Sequence, residues 1–526
     1  MTAASSAATR SAAPLGAGTG RTVVALVVLH LILCAILFDP KIHTGGDSAT
    51  YVLLAESVLK QGDGYALSIE PGPPAVHTHY PPGYPVLLAP AVALFGRNFV
   101  ALKLLSVLFT AATVLIFCLY VRRRHESVPW LCLALPFAVN PGLIDYSRWM
   151  LSEAPFLVFT LLALWQLRED GERERIGWPF VLGLLASVAC FYLRSIGALL
   201  LVGASLSYLT RREWRRFLIY GAAGSGLTIP WLVRNQFAAG SASPYFEQFR
   251  QVSVYVPEAG YLDLAGFAER FLTNIWFYAS REMPRALVGS DSTWAAHALV
   301  AAAGLILCSL ALVGLVRAFR RPTAAEFYFV LYCLAILLFQ ESVNDVRYLL
   351  PILPLVLIYG MDAAAWMARR VRRLTRPASA PIAVAAVLTT VALVSAAARA
   401  PANLDMLRRY SAGDHHAGYH PAWRNFFEAT AWVRDSTPAD AIVTVRKPRL
   451  FSALSDRRVR MYPLSDPDSV LRAVRSTDYV VVDPIHGTTA RYLFPAIQRE
   501  SGSFVIAHQT REPITWVLGV LDPVEP

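Results

Sequence analysis

Residues 45–51, Gly-Gly-Asp-Ser-Ala-Thr-Tyr, and residues 77–85, His-Thr-His-Tyr-Pro-Pro-Gly-Tyr-Pro, belong to one polar stretch (39–97) directly behind the first apolar segment of the chain. Around it lies a strongly apolar protein of 526 residues, 55% hydrophobic and 16% charged, with a mean hydropathy of +0.43. Soluble proteins carry about 25% charged residues. Apolar runs of roughly 17–22 residues recur along the chain, the length a helix needs to cross a bilayer. A polar, acid-bearing loop in such a setting sits at the membrane surface, where Asp47 is available for chemistry.

The net charge of +11 does not indicate nucleic acid. The arginines cluster in short runs between apolar segments, at Arg122–Arg124, Arg211–Arg216, Arg317–Arg321 and Arg369–Arg376, which is the positive-inside pattern of a polytopic membrane protein. All six cysteines (34, 118, 132, 190, 308, 333) lie in apolar segments without metal spacing, so they read as small hydrophobes. The segment 1–21 is rich in Ala, Ser and Gly and has no acid; it reads as a disordered cytoplasmic tail. Segment 22–38 lacks a small-residue cleavage site and reads as an uncleaved anchor.

Charge then sets the topology. Treating 84–96 as a short surface or re-entrant helix, rather than a span, places Arg122–Arg124 and every later arginine cluster on the inner side; its 13 residues are also short for crossing. The remaining spans fall near 100–120, 128–143, 150–167, 177–193, 196–210, 216–235, 293–316, 326–340, 347–367 and 381–399. The expectation is a polytopic α-helical membrane protein of about eleven spans (22–400), with its N-terminus inside and external loops at 39–99 and 236–292. Residues 401–526 differ: strand-like Ala441–Val445, Tyr479–Val482 and Phe504–Ala507 alternate with helical patterns at 422–434 and 487–499, the pattern of a small external α/β domain. In loop 236–292, Phe267, Phe271, Ile275 and Tyr278 recur at helical spacing and suit an interfacial amphipathic helix.

Few residues are placed for chemistry. Asp47 reads either as the N-cap of a helix over 48–60 or, partly desolvated at the bilayer surface, as a base for a hydroxyl nucleophile. Glu153 stands at the external mouth of an apolar helix, where an acid is a functional candidate; the alternatives are an ion pair with Arg148 or simple capping of the helix. Arg347 lies in a short external turn and offers a bidentate fork for phosphate, its alternative partners being Asp345 and Glu341. Arg194 is a second external-side arginine. His77 and His79 read as substrate contacts, as surface residues, or as a metal pair with Glu56 or Glu70. Tyr80-Pro-Pro-Gly-Tyr-Pro85 enforces an extended entry into the next helix.

In order, these features resemble the GT-C superfamily of polyprenyl-phosphate-sugar-dependent glycosyltransferases, closest to the branch of protein mannosyltransferases and aminoarabinose transferases (glycosyltransferase family 39-like). The residues that carry the likeness are Asp47 and Tyr51, Tyr80–Pro85, a short helix ending Phe95-Gly96, Ala101–Ser106, Arg148 with Glu153, and Arg347-Tyr348 with Pro351 and Pro354; it covers roughly 22–367. Lys103 stands where such proteins often carry arginine. The resemblance implies a GT-C fold and an inverting displacement on the external face. Asp47 and Glu153 would be catalytic, with Tyr51, His77, His79, Tyr80, Arg194, Arg347 and Tyr348 binding substrate. The implied partners are a polyprenyl-phosphate sugar donor, a lipid, glycan or protein acceptor, and the bilayer. No cofactor is indicated, no metal ligand is assigned, and participation of a divalent metal is left open. The sparse lysines, four among 48 basic residues, point to a GC-rich bacterial source, hence an inner-membrane protein with a periplasmic C-terminal domain. The competing class is a polytopic transporter or flippase for a lipid-linked substrate, which tends to show two related halves; none is visible here.

Overall fold

The computed structural model describes residues 17–60, 64–124, 128–239, 244–370 and 379–521; most of the expected N-terminal tail and part of the Arg369–Arg376 cluster lie outside them. The chain opens with α1 (Ala17–Ile36), then α2 (Asp47–Leu59), the short hairpin β1 (Ala66–Leu67) and β2 (Ala75–Val76), α3 (Gly83–Phe95) and α4 (Phe99–Arg124). Next come α5 (Trp130–Ala138), α6 (Pro141–Ser147), α7 (Glu153–Gly171), α8 (Trp178–Leu193), α9 (Ala198–Thr210) and α10 (Trp214–Ala239). A second long segment between bundle helices holds α11 (Pro244–Arg250), α12 (Leu264–Phe277) and α13 (Met283–Val288). The bundle finishes with α14 (Ala298–Ala318), α15 (Ala324–Leu337), α16 (Leu353–Arg370) and α17 (Ser379–Ser411).

Among the described residues, four helices are both long and apolar enough to cross a membrane: α1, α4, α14 and α17. With α5–α6, α7 to α10, α15 and α16 they account for the eleven expected segments of a multi-pass membrane protein. The expected span 128–143 is not one helix. Asn140 precedes Pro141, which disfavours helical backbone at Asn140, and its side chain instead caps α6 by accepting from the Leu143 N–H at 2.9 Å. The expected boundary at 400 is also not a break, because α17 runs through it. Arg399 on this helix donates to Asp145 at 2.6 Å, and Asn403 donates to the carbonyls of Ile36 and Phe38 at the end of α1.

Beyond α17 come α18 (Pro421–Ser436), β3 (Ile442–Thr444), α19 (Pro448–Ser455), β4 (Arg458–Arg460), α20 (Pro467–Arg475), β5 (Tyr479–Val482), α21 (Phe494–Arg499), β6 (Phe504–Gln509) and β7 (Trp516–Val520). The sheet order is β4-β3-β5-β7-β6. β3 runs parallel to β4 and β5, and β7 is antiparallel to β5 and β6. The small α/β domain therefore exists, with β4 and β7 in addition to the three strands expected from the sequence.

This domain shares a core with the segment between α1 and α4. Ala49 and Leu54 of α2, with Leu67 and Ile69, pack in one buried cluster with Phe426, Phe427, Val443, Leu450, Phe451 and Val459. The Val459 N–H donates to the Ile69 carbonyl at 2.7 Å, and Arg97 joins Glu56 of α2 to the Ala453 carbonyl and Asp456. One face of the loop is thereby spent on the C-terminal domain, and the other is left for the bundle. Phe451→Ala empties a fully buried position of the shared core and is expected to cost about 3–5 kcal/mol. Hydrogen exchange should then accelerate in 47–59 and 442–460 together; acceleration in the C-terminal domain alone would show the two parts to be independent.

Candidate active site

Asp47 does not cap α2 with its side chain. The N-cap is Gly46, in the left-handed region at φ 93°, which bends the chain so that the Asp47 carboxylate leaves the helix. One oxygen accepts from the Tyr80 hydroxyl at 2.9 Å and the other from Arg347 Nη1 at 2.8 Å. Arg347 therefore pairs with neither alternative partner; the Asp345 carboxylate accepts from the Tyr146 hydroxyl and the Arg347 backbone N–H instead. Burial pushes the Asp47 carboxyl up, but the Arg347 charge and the bonds from Arg347 and Tyr80 outweigh it and hold the group below the usual carboxylate range.

Glu153 begins α7 and is buried. Its partner is Arg194, the residue closing α8, not Arg148, which binds Asp145 at 3.1 Å and Asp291 at 2.6 Å. Arg347 Nε lies 4.0 Å from Glu153, and neither Glu153 oxygen accepts a hydrogen bond of good geometry. Tyr51 reaches Ser152 Oγ at 3.0 Å, and the Arg347 guanidinium stands 5.0 Å from the Tyr348 ring.

A cavity of about 830 Å³ collects these groups: Asp47, Tyr51, His79, Tyr80, Glu153, Arg194, Arg347 and Tyr348 all line it. His77 does not. It is buried behind the wall, where its Nε2 accepts from the Tyr80 backbone N–H at 2.9 Å while the His77 backbone N–H donates to the Tyr65 carbonyl, so it positions Tyr80. Of the two acids considered for a metal pair, Glu56 is held by two nitrogens of Arg97 at 2.6 and 2.9 Å; among the described residues no group of three or more metal-ligating side chains forms. Burial, followed by the charge of Arg449, lowers the His79 imidazole to about 4, so it is neutral near pH 7.

The juxtamembrane arrangement depends on close backbone contact. The N-terminus of α3 lies on the C-terminal end of α8, where a Cβ on Gly83 would stand 2.6 Å from the Tyr192 carbonyl oxygen. This contact brings the Tyr80 segment beside Arg194. Lys103, buried on α4, donates to the carbonyls of Asp39 and Lys41 and so holds the entry to the loop.

Sequence reasoning missed the rest of the wall. Arg446 and Arg449, between β3 and the first turn of α19, line the cavity from the C-terminal domain, and Gln248, Phe249, Val254 and Tyr255 line it from the segment between α10 and α14. That segment is tied down by α12, and of the four residues of the expected interfacial stripe only Ile275 is exposed. Phe267, Phe271 and Tyr278 are turned toward the protein, beside buried Arg270 and Asn274, while Leu264, Leu272, Ile275 and Trp276 are exposed. Arg270 donates to the carbonyls of Phe249 (3.0 Å) and Gln251 (2.7 Å). Asn274 donates to those of Leu337 (2.8 Å) and Phe339 (2.9 Å). The exposed apolar face suits a membrane surface.

Comparison with known proteins follows this architecture. Residues 79–232 match the family model described as dolichyl-phosphate-mannose-protein mannosyltransferase; Asp47 and Arg347 lie outside the matched part. No curated protein matches the chain. ArnT from Cupriavidus metallidurans bound to undecaprenyl phosphate superposes with a TM-score of 0.59 at 14% identity, covering 97% of this chain and 100% of that one. The archaeal oligosaccharyltransferase AglB from Archaeoglobus fulgidus, in complex with an inhibitory peptide and a dolichol-phosphate, superposes with a TM-score of 0.53 at 12% identity, covering 89% of this chain and 70% of that one. The chain has the fold of the GT-C superfamily of membrane glycosyltransferases and resembles its mannosyltransferase and aminoarabinose transferase branch.

The ion pair carries a titration signature. Stability from the depressed Asp47 is present above its unfolded pKa of about 3.9 and is lost as pH falls through the lower folded value. In Arg347→Gln, the Tyr80 bond remains but the Arg347 charge no longer offsets burial, and the carboxyl should protonate at a higher pH than in the parent. Infrared difference spectra against the matching Asp47→Asn protein would show its C=O band at pH values where the parent shows none; an unmoved titration would contradict the assigned pairing.

Proposed function

We propose that this protein is an inverting glycosyltransferase that moves a sugar from a polyprenyl-phosphate donor to an acceptor hydroxyl. The observation that carries the reading is the cavity in which the Asp47 carboxylate, fixed by Tyr80 and Arg347, stands beside the Glu153–Arg194 pair. The printed ligands of the two structural neighbours, undecaprenyl phosphate and a dolichol-phosphate, support the donor class.

In this reaction the acceptor hydroxyl gives its proton to Asp47 as its oxygen bonds to the anomeric carbon. The anomeric C–O bond to phosphate breaks on the opposite face, and its electron pair leaves with the polyprenyl phosphate. Arg347, with Arg194 behind it, stabilises that departing charge. The phosphate competes with Asp47 for Arg347, so donor binding frees the base at the moment it is needed. Glu153, whose oxygens lack well-formed hydrogen bonds, positions the acceptor hydroxyl.

The order of the elements supports a periplasmic site in a bacterial inner membrane, with a cytoplasmic N-terminus and a periplasmic C-terminal domain. Glu153 and Arg347 sit at the N-terminal ends of α7 and α16, and Arg194 at the C-terminal end of α8. The arginines 122–124, 211–216, 317–321 and 369–370 sit at the other ends of their helices, the inner side by the charge rule.

The test compares glycolipids and surface glycans of a deletion strain with strains carrying the parent gene or Asp47→Asn. Loss of a positioned base lowers transfer by about 10²–10⁴-fold. The deletion and Asp47→Asn strains should therefore accumulate polyprenyl-phosphate sugar and an unmodified acceptor. Full transfer by Asp47→Asn at normal protein level would remove Asp47 from the chemistry.

A further inference from the structure

The turn that aims the Asp47 carboxylate is held from two sides. A Cβ on Gly45 would collide with the His43 ring, whose centroid lies 3.9 Å from that of Trp149. The Gly46 carbonyl is taken by α2, accepting from the Thr50 N–H at 3.0 Å and the Thr50 hydroxyl at 2.9 Å. The Gly45 carbonyl turns instead to the C-terminal domain and accepts from Lys447 Nζ at 3.3 Å. Lys447 immediately precedes α19, whose Leu450 and Phe451 share a buried core with Ala49 and Leu54 of α2. That packing fixes where the ammonium stands relative to Asp47.

Donor binding creates a demand that Lys447 meets. Burial favours the protonated carboxyl, and Asp47 loses the Arg347 charge when the donor phosphate takes it. The phosphate also brings negative charge of its own. A protonated Asp47 accepts no proton from a hydroxyl. Of the other groups around the carboxylate, Tyr51 and Tyr80 are neutral phenols, and Glu153 and Arg194 offset each other. Burial lowers the His43 imidazole to about 3 and that of His79 to about 4, so neither is charged near pH 7. Arg446 and Arg449 line the cavity and are open to an incoming anion, and the buried Asp483 carboxylate already acts on Arg446.

Lys447 does not line the cavity. Burial, then the Arg446 charge, lowers its ammonium below the ordinary lysine range, and Asp47 and Asp483 act against that. Its neighbour His486 is neutral, lowered by burial to about 4. The negative charge of a bound donor favours the ammonium further.

We propose that Lys447 is a positioning residue for the base: it holds the Gly45 carbonyl at the turn that aims Asp47, and it is the cation that keeps this carboxylate ionised once phosphate occupies Arg347. The inference rests on the transferase reading and deepens it, giving the C-terminal domain a part in the reaction cycle.

The test follows Asp47 itself. Infrared difference spectra, each taken against the matching Asp47→Asn protein, give the Asp47 titration in full-length protein in nanodiscs, with and without saturating undecaprenyl phosphate. The parent, Lys447→Gln and Lys447→Arg are compared; glutamine keeps an N–H donor without the charge, and arginine keeps both. With undecaprenyl phosphate bound, Asp47 in Lys447→Gln should protonate about one pH unit above the parent, tenfold in proton affinity, and by more than without the lipid. Lys447→Arg should follow the parent. Undecaprenyl phosphate affinity should stay within about twofold in all three, while transfer in the complemented deletion strain falls about tenfold in Lys447→Gln and recovers in Lys447→Arg. An Asp47 titration in lipid-bound Lys447→Gln equal to the parent's would overturn the proposal, as would full transfer by that variant or failure of Lys447→Arg to restore it. A tenfold loss of undecaprenyl phosphate affinity in Lys447→Gln would assign the ammonium to the donor phosphate and overturn it too. Parent protein that fails to bind undecaprenyl phosphate would take away the transferase reading itself, and this role with it.

Discussion

The contact between Arg347 and Asp47, 2.8 Å long and joining residues 300 positions apart, is the constraint on which the rest of the site depends. A guanidinium and a carboxylate facing a partly dehydrated cavity must be partnered or they destabilise the fold. Satisfying this pair requires the turn before α16, the start of α2 and the Tyr80 segment to meet at one point. Arg194 and Glu153 impose the same demand on α7 and α8. Arg347 Nε, 4.0 Å from Glu153, links the two pairs into one network. These two pairs are consequently neutralised from within, and an incoming phosphate competes for a cation that already has a partner.

The loop between α1 and α4 reconciles two environments. Its polar edge, with Asp47, Tyr51, His79 and Tyr80, faces the cavity, while Ala49, Leu54, Leu67 and Ile69 are covered by the C-terminal domain. A loop of this size held only by the bundle would leave that apolar face in water. The C-terminal domain therefore covers the loop and contributes a wall of the site at once, and the continuous helix α17 fixes it to the membrane part.

The parts of the site legible in the sequence were those in which a charged residue interrupts an apolar context. Asp47, Glu153, Arg194 and Arg347 stood out because an ionisable group at the end of an apolar segment needs a reason. Their partners were not legible: local spacing suggested Arg148 for Glu153 and Asp345 for Arg347, whereas tertiary contacts joined residues tens to hundreds of positions apart. His77 and His79 are two residues apart and looked equivalent, yet only His79 reaches the cavity. Arg446 and Arg449 carried no motif and lay in a different domain. The face of α12 was misread because in a membrane protein an apolar stripe is equally suited to lipid and to protein; the discriminating signal was Arg270 and Asn274, one turn apart on the buried side. The break in 128–143 was written in Asn140-Pro141. The strands β4 and β7 were missed, one for its brevity and flanking arginines, the other for lying in an unpatterned C-terminal stretch.

The account makes the Asp47 carboxylate a competitor of the donor phosphate for Arg347. The most direct test is the affinity of the full-length protein in nanodiscs for undecaprenyl phosphate, compared between the parent and Asp47→Asn. If the carboxylate and the phosphate share Arg347, removing the carboxylate charge should tighten binding by about fivefold or more, the size of a modest electrostatic coupling. Equal or weaker binding in Asp47→Asn would contradict the shared use of Arg347 on which the mechanism rests.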